Sequence, residues 1–158
     1  MTRDTDISPK GASGTGAGAA LVRDQIAVLP WRIDKGKVEV CIITSRETGR
    51  WIVPKGWPMK GHSRPGAARI EAWEEAGLIG RVSERPLGQF RYDKRMPDGA
   101  VPVLATLYAM RVKRSVGRYP ERRQRRRQWL SPKKAAERLD DADLARIVRD
   151  FRPRALPG

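Results

Sequence analysis

The stretch SRPGAARIEAWEEAGL, residues 63–78, places three glutamates, Glu71, Glu74 and Glu75, on a segment that reads as one short helix. Ser63 is placed to cap its start, and Pro65 suits the first turn, where no backbone N–H is needed. Gly77 suits the residue just past the end. Ala68, Ala72, Ala76 and Ile79 fall on a narrow apolar stripe of mostly small side chains, which predicts close packing on a sheet. Residues 71, 74 and 75 share one helix face, because positions three and four apart are neighbours. Like charges at that spacing cost a few tenths of a kcal/mol per pair. Near the C-terminus the helix dipole disfavours negative charge as well. Local physics therefore opposes the arrangement twice. A solvated acidic face is the bland explanation. A hard cation with oxygen ligands explains the cluster better, with water and phosphate filling its remaining sites.

The pattern around this helix predicts a sheet. AALVRDQIAVLPW and VEVCIITS are apolar or β-branched runs separated by RIDKGK, which reads as strand, turn, strand. RWIVP is a third short strand ended by Pro54. KGWPMKGHS reads as a loop. RVSERPLGQFRYDKR reads as strand, turn, strand, and AVPVLATLYAMRVKR as a long central strand. QWLS is a further short strand. Ser131 and Pro132 open a helix, and DADLARIVRDF a second helical segment. Strands, helix, strands, helix is the order of an α+β domain, with a mixed β-sheet sandwiched between helices. Residues 1–17 are rich in Gly, Ser, Thr and Ala and read as a flexible tail. The domain is expected over 18–150, with a loose C-terminal tail over 151–158.

Thirty-three Lys and Arg against eighteen Asp and Glu give a formal charge of +15. Such a surface attracts polyanions: nucleic acid, anionic lipid or phosphorylated small molecules. No run of about 18 apolar residues is present, so no transmembrane helix and no membrane partner is expected. The N-terminus shows no apolar segment of a secretory signal. Cys41 is the one cysteine, which excludes a disulfide framework or a cysteine-rich zinc site and points to a reducing cytoplasm.

From Gly56 onward the spacing resembles the Nudix signature: Gly, five residues, Glu, seven residues, then Arg-Glu-U-x-Glu-Glu-x-Gly-U, where U is aliphatic. Gly56, Glu71, Ala72, Glu74, Glu75, Gly77 and Leu78 match it. His62 stands where the pattern has its first Glu, and Ile70 where it has Arg. In the family that arginine belongs to a salt-bridge network that orients the glutamates. The flanks TSRETGRWIVPKGW and RRQWLSPKKAAERL resemble the diphosphoinositol polyphosphate phosphohydrolase branch. The likeness covers roughly residues 20–140.

The resemblance implies metal-assisted attack of water on a diphosphate linkage, with Mg²⁺ or Mn²⁺ as cofactor. It implies that Glu71, Glu75 and the carbonyl of Lys55 ligate the metal, and that Glu74 is a base or further ligand. Glu121 and Asp98 are weaker candidates for a base outside the signature. His62, the one histidine, could touch phosphate or metal-bound water, or simply be exposed. The likeness further suggests phosphate contacts from Arg23, Thr44, Ser45, Arg46, Lys94, Arg95 and Arg125; arginine suits phosphate through its planar fork. The implied substrate is a highly phosphorylated small molecule, of diphosphoinositol polyphosphate or dinucleoside polyphosphate type. Two alternatives stand beside it: removal of diphosphate from RNA 5′ ends, and a degenerate domain that binds nucleotide or nucleic acid without catalysis. RYPERRQRRRQWL, the densest basic stretch, reads as a solvated loop, a nucleic-acid footprint or a wall for a phosphate-rich substrate. Oligomeric state is not legible.

Overall fold

The computed structural model describes residues 21–153. The N-terminal tail expected over 1–17 and most of the C-terminal tail lie outside the described residues. The elements run β1 (Arg23–Asp34), β2 (Lys37–Thr44), β3 (Trp51–Ile52), β4 (Lys55–Gly56), α1 (Arg64–Ala76), β5 (Leu78–Val82), β6 (Gly88–Met96), β7 (Gly99–Ser115), β8 (Arg127–Leu130), α2 (Pro132–Arg138) and α3 (Ala142–Arg149). All eight strands join one mixed sheet whose main path is β3-β2-β1-β7-β5; β4 pairs with β1, β6 with β7 and β8 with β2. The long central pair β1 and β7 is parallel, in register from Arg23↔Val103 to Trp31↔Arg111, and the other pairings are antiparallel. No helix among the described residues is long and apolar enough to cross a membrane.

Alternation along the strands divides the core between two faces. Ile26, Val28, Cys41, Ile43, Tyr108 and Met110 face α1 and meet its alanines Ala67, Ala68, Ala72 and Ala76. Ala27, Leu29, Trp31, Val40, Ile42 and Leu107 face the other way, toward Ala135, Leu144 and Val148 of α2 and α3. The sheet is thus sandwiched between helices, as the order of elements implies. Phe151 packs on Trp31 with ring centroids 5.8 Å apart, so the packed chain runs through residue 151. Helix α1 starts and stops on the expected residues: the Ser63 side chain accepts from the Gly66 N–H, and Gly77 adopts the left-handed conformation at φ 67°.

Three details differ from the sequence expectation. The β1–β2 turn is only Lys35-Gly36, both at positive φ (51° and 78°), so the strands extend through most of the polar segment. A two-residue turn of that kind follows the natural twist of a hairpin. Ile79 lies in β5, because the helix ends at Gly77, whose carbonyl accepts from the Val116 N–H at 2.9 Å. Lys55 and Gly56 form a strand rather than a loop, opposite Ala27 and Ile26 of β1. That short strand brings the backbone before the signature alongside the glutamate helix.

Candidate active site

Packing of the alanine face on the sheet turns Glu71 and Glu75 inward at its edge, where they are 7% and 6% exposed. Glu74 is half-buried. The Glu71 carboxylate lies directly over Gly56. A Cβ at residue 56 would stand 2.0 Å from Glu71 Oε2 and 2.4 Å from its Cδ. Only glycine leaves room for the carboxylate there. Helix α1 is held at its other end by Arg64, whose guanidinium donates to both Asp24 oxygens of β1 at 2.8 and 3.0 Å.

Glu75 sits among donors. The Lys55 N–H donates to its Oε1 at 3.3 Å, and Arg125 Nη2 stands 3.7 Å from the same oxygen. Burial pushes the Glu71 carboxyl up to about 9, with the negative charge of Glu75 adding to the effect. Burial raises Glu75 too, against the pull of Arg125. A hydrogen bond between the two carboxyls acts in opposite directions on them, raising Glu71 and lowering Glu75. The Lys55 ammonium is pulled down to about 8, chiefly by burial, against the attraction of Glu75 and with Lys94 and Arg125 as repelling neighbours. Its Nζ lies over the Tyr92 ring, 4.9 Å from the centroid.

Among the described residues, no three His, Cys, Asp or Glu side chains form a ready-made metal cage. The donors present nevertheless suit a hard cation. Two largely buried carboxyl groups share the cavity, and one of them, Glu71, lies over Gly56, where a Cβ would displace it. Oxygen donors of this kind match magnesium, which keeps several waters and is bound through one or two carboxylates plus substrate phosphates. Glu71, Glu75 and the Lys55 carbonyl are the residues that would hold it.

Glu71, Glu74 and Glu75 share a cavity of about 270 Å³ with Lys55, Arg46, Lys94 and Arg125. Seven of the residues expected at the site are thus brought together. Ser45 and Arg95 line an adjoining cavity of about 400 Å³, which also includes Arg46, Lys94 and Arg125. Arg23 stands over the Trp57 ring, 5.7 Å from its centroid. Thr44 is buried under the arginine-rich segment: its hydroxyl accepts from the Arg126 N–H at 2.8 Å, and its carbonyl from Arg125 Nη1 at 3.1 Å. Glu121 is bonded to Arg125 Nε at 2.7 Å. His62 is exposed, and Asp98 lies in the exposed β6–β7 turn.

Sequence reasoning missed Gln25 and Tyr92, which line the glutamate cavity and are joined by a hydrogen bond from the Tyr92 hydroxyl to Gln25 Oε1. Their only signal was strand alternation, which gives a face but no neighbour. A third cavity, of about 310 Å³, adjoins the other two through Lys55, Ile52 and Tyr92. Its apolar wall includes Trp51, Phe90, Leu139 and Leu144, and Asp140 and Asp141 lie at its rim.

No family model matches the chain. It is similar to "Nudix hydrolase 12, mitochondrial" of Arabidopsis thaliana, at 29% identity over 119 residues, covering 73% of this chain and 59% of the relative. It is 35% identical over 112 residues to "Nudix hydrolase 16, mitochondrial" of the same plant, covering 66% of this chain and 60% of the relative. The chain thus spans about three fifths of the length of these curated relatives. Among solved structures, a C. elegans Ap4A hydrolase binary complex superposes with a TM-score of 0.60 at 20% identity, covering 81% of this chain and 93% of that one.

Proposed function

We propose that this chain, which has the Nudix fold, is a Nudix hydrolase, and that it cleaves a diphosphate linkage in a dinucleoside polyphosphate type of substrate with Mg²⁺ or Mn²⁺ as cofactor. The observation that carries the reading is the buried pair Glu71 and Glu75 in a cavity whose lining also includes the basic side chains of Lys55, Arg46, Lys94 and Arg125. Paired acids with basic neighbours suit a site that takes a cation and a polyphosphate together. When bound, the metal supplies charge neutralisation and a lowered pKa for its water. Glu71, Glu75 and the Lys55 carbonyl would hold it. Glu74, half-buried at the same cavity, is placed to take the proton from the attacking water. Arg46 and Lys94 bind and orient the phosphates.

The dinucleoside type is favoured over diphosphoinositol by the third cavity. Phe90, Leu139, Leu144 and Trp51 give it an apolar wall. A nucleobase has flat apolar faces to lay on such a wall; a phosphorylated inositol has none. The solved neighbour named as an Ap4A hydrolase agrees with that choice. The buried, unpaired Cys41 suits a reducing compartment, and we place the protein in the cytoplasm. The test is phosphate release with Mg²⁺ or Mn²⁺ across diadenosine polyphosphates, diphosphoinositols and triphosphorylated RNA. Turnover of the first group is expected. Preference for either other group removes the substrate assignment, and no turnover of any, with tight nucleic-acid binding, removes the enzyme.

A further inference from the structure

Helix α1 carries three glutamates but no cation that serves them. Arg64 is spent on Asp24, Arg69 is exposed, and residue 70 is isoleucine. Beside the Lys55 ammonium, the guanidinium that faces Glu75 comes from more than forty residues away, out of the arginine-rich segment. Arg125 has a side chain only 8% exposed. Three of its nitrogens each face a protein oxygen: Nε donates to Glu121 Oε1 at 2.7 Å, Nη1 to the Thr44 carbonyl at 3.1 Å, and Nη2 lies 3.7 Å from Glu75 Oε1. The segment that bears it is fixed on both sides. The Glu121 N–H donates to the Glu74 carbonyl at 3.0 Å, and Arg127 donates to the Ala76 carbonyl, so it grips the last turn of α1. The Thr44 N–H donates to the Arg126 carbonyl at 3.0 Å, and the Arg126 N–H to the Thr44 hydroxyl, so it grips the end of β2.

We infer that Arg125 is a positioning residue for Glu75, supplying from outside the helix the countercharge that residue 70 does not supply from within, with Glu121 as its anchor. The inference rests on the proposed metal-binding role of Glu75. It also separates members of the basic run. Arg122 and Arg123 are exposed, whereas Arg125 is turned inward and has little left to offer a phosphate. A fork held by two hydrogen bonds keeps its third nitrogen at a fixed place beside the carboxylate, which a flexible ammonium would not do. Residues that orient a metal ligand in this way are worth about 10- to 100-fold in metal affinity or activity.

The experiment measures Mn²⁺ binding to the full chain by electron paramagnetic resonance without substrate, alongside kcat and KM on a diadenosine polyphosphate. Arg125→Gln is expected to weaken Mn²⁺ binding by about tenfold or more and to lower kcat with KM unchanged. Arg125→Lys should recover part of both losses, because it restores charge without the fork. Glu121→Gln should shift both in the same direction by less. Unchanged Mn²⁺ affinity with a raised KM in Arg125→Gln would make the arginine a phosphate ligand and overturn the inference. If Arg125→Gln fails to fold by circular dichroism, Arg125→Lys and Glu121→Gln carry the same two readouts; Mn²⁺ binding unmoved in both overturns it equally. A wild-type chain that binds no Mn²⁺ sinks the functional reading and this inference together. A wild type that binds, with variants that bind as tightly, sinks this inference alone.

Discussion

Gly56→Ala tests the site at its tightest point. Glycine 56 has no positive φ to defend, so alanine is acceptable to the backbone of β4. The obstacle is the Glu71 carboxylate, 2.0 Å from the new Cβ at Oε2, 2.4 Å at Cδ and 2.8 Å at Oε1. Ordinary contact begins near 3.4 Å, so the carboxylate must retreat by about 1.4 Å. It can do so cheaply, because it is the end of a flexible side chain. A forced rotamer costs about 0.5–1.5 kcal/mol, and the lost chain entropy of glycine returns about 0.4–1 kcal/mol. The net change in stability is therefore within about 1 kcal/mol, a few degrees in melting temperature. The functional consequence is much larger. Metal–ligand distances tolerate only about 0.2 Å, and a 1 Å misplacement in an active site costs about 100-fold. A thermal melt and a phosphate-release assay on the same preparation should show near-normal stability with activity reduced about 100-fold or more. Full activity in a stable Gly56→Ala protein would show that the Glu71 carboxylate does not work from this position. A large loss of stability would show that it cannot move, and would refute the argument from side-chain flexibility.

Glu75→Gln should abolish turnover with little change in melting temperature; retained turnover would count against Glu75 as a metal ligand. Metal-free protein should lose stability with rising pH. The folded Glu71 carboxyl is raised to about 9 from an ordinary value of 4.5, so stability present below the lower value is lost as pH rises toward the upper one. Melting temperatures in a chelator should fall across that window, and added Mg²⁺ should raise them more near its top than near its bottom; a flat profile would contradict the burial of this carboxyl. Cys41 is fully buried and its thiol is pushed up to about 12 by that burial. Alkylation under native conditions should therefore track global unfolding, and rapid labelling of the folded protein would show that the face between the sheet and α1 opens.

Much of the fold could be read locally. The limits of α1 followed from Ser63, Pro65 and Gly77, because capping acts within a few residues of a helix end. The alanine stripe followed from helical periodicity, and β7 from a long apolar run bounded by prolines. β4 could not be read, since a two-residue strand has no period; only its pairing with Ile26 and Ala27 makes it one. The role of RYPERRQRRRQWL was equally hidden. Along the chain its arginines look alike, yet Arg122 and Arg123 face solvent while Arg125 turns inward.

The sequence by itself determined that three glutamates share one face at the end of a short capped helix, because spacing within a helix is fixed by its pitch. Tertiary structure decided which of them are buried, that Gly56 lies beneath Glu71, and that Lys55 and Arg125, the latter anchored on the Thr44 carbonyl, flank Glu75. Those contacts join residues 15 to 81 positions apart. They depend on the register in which strands pair and on the face by which α1 meets the sheet, and neither is written in any local stretch of the chain.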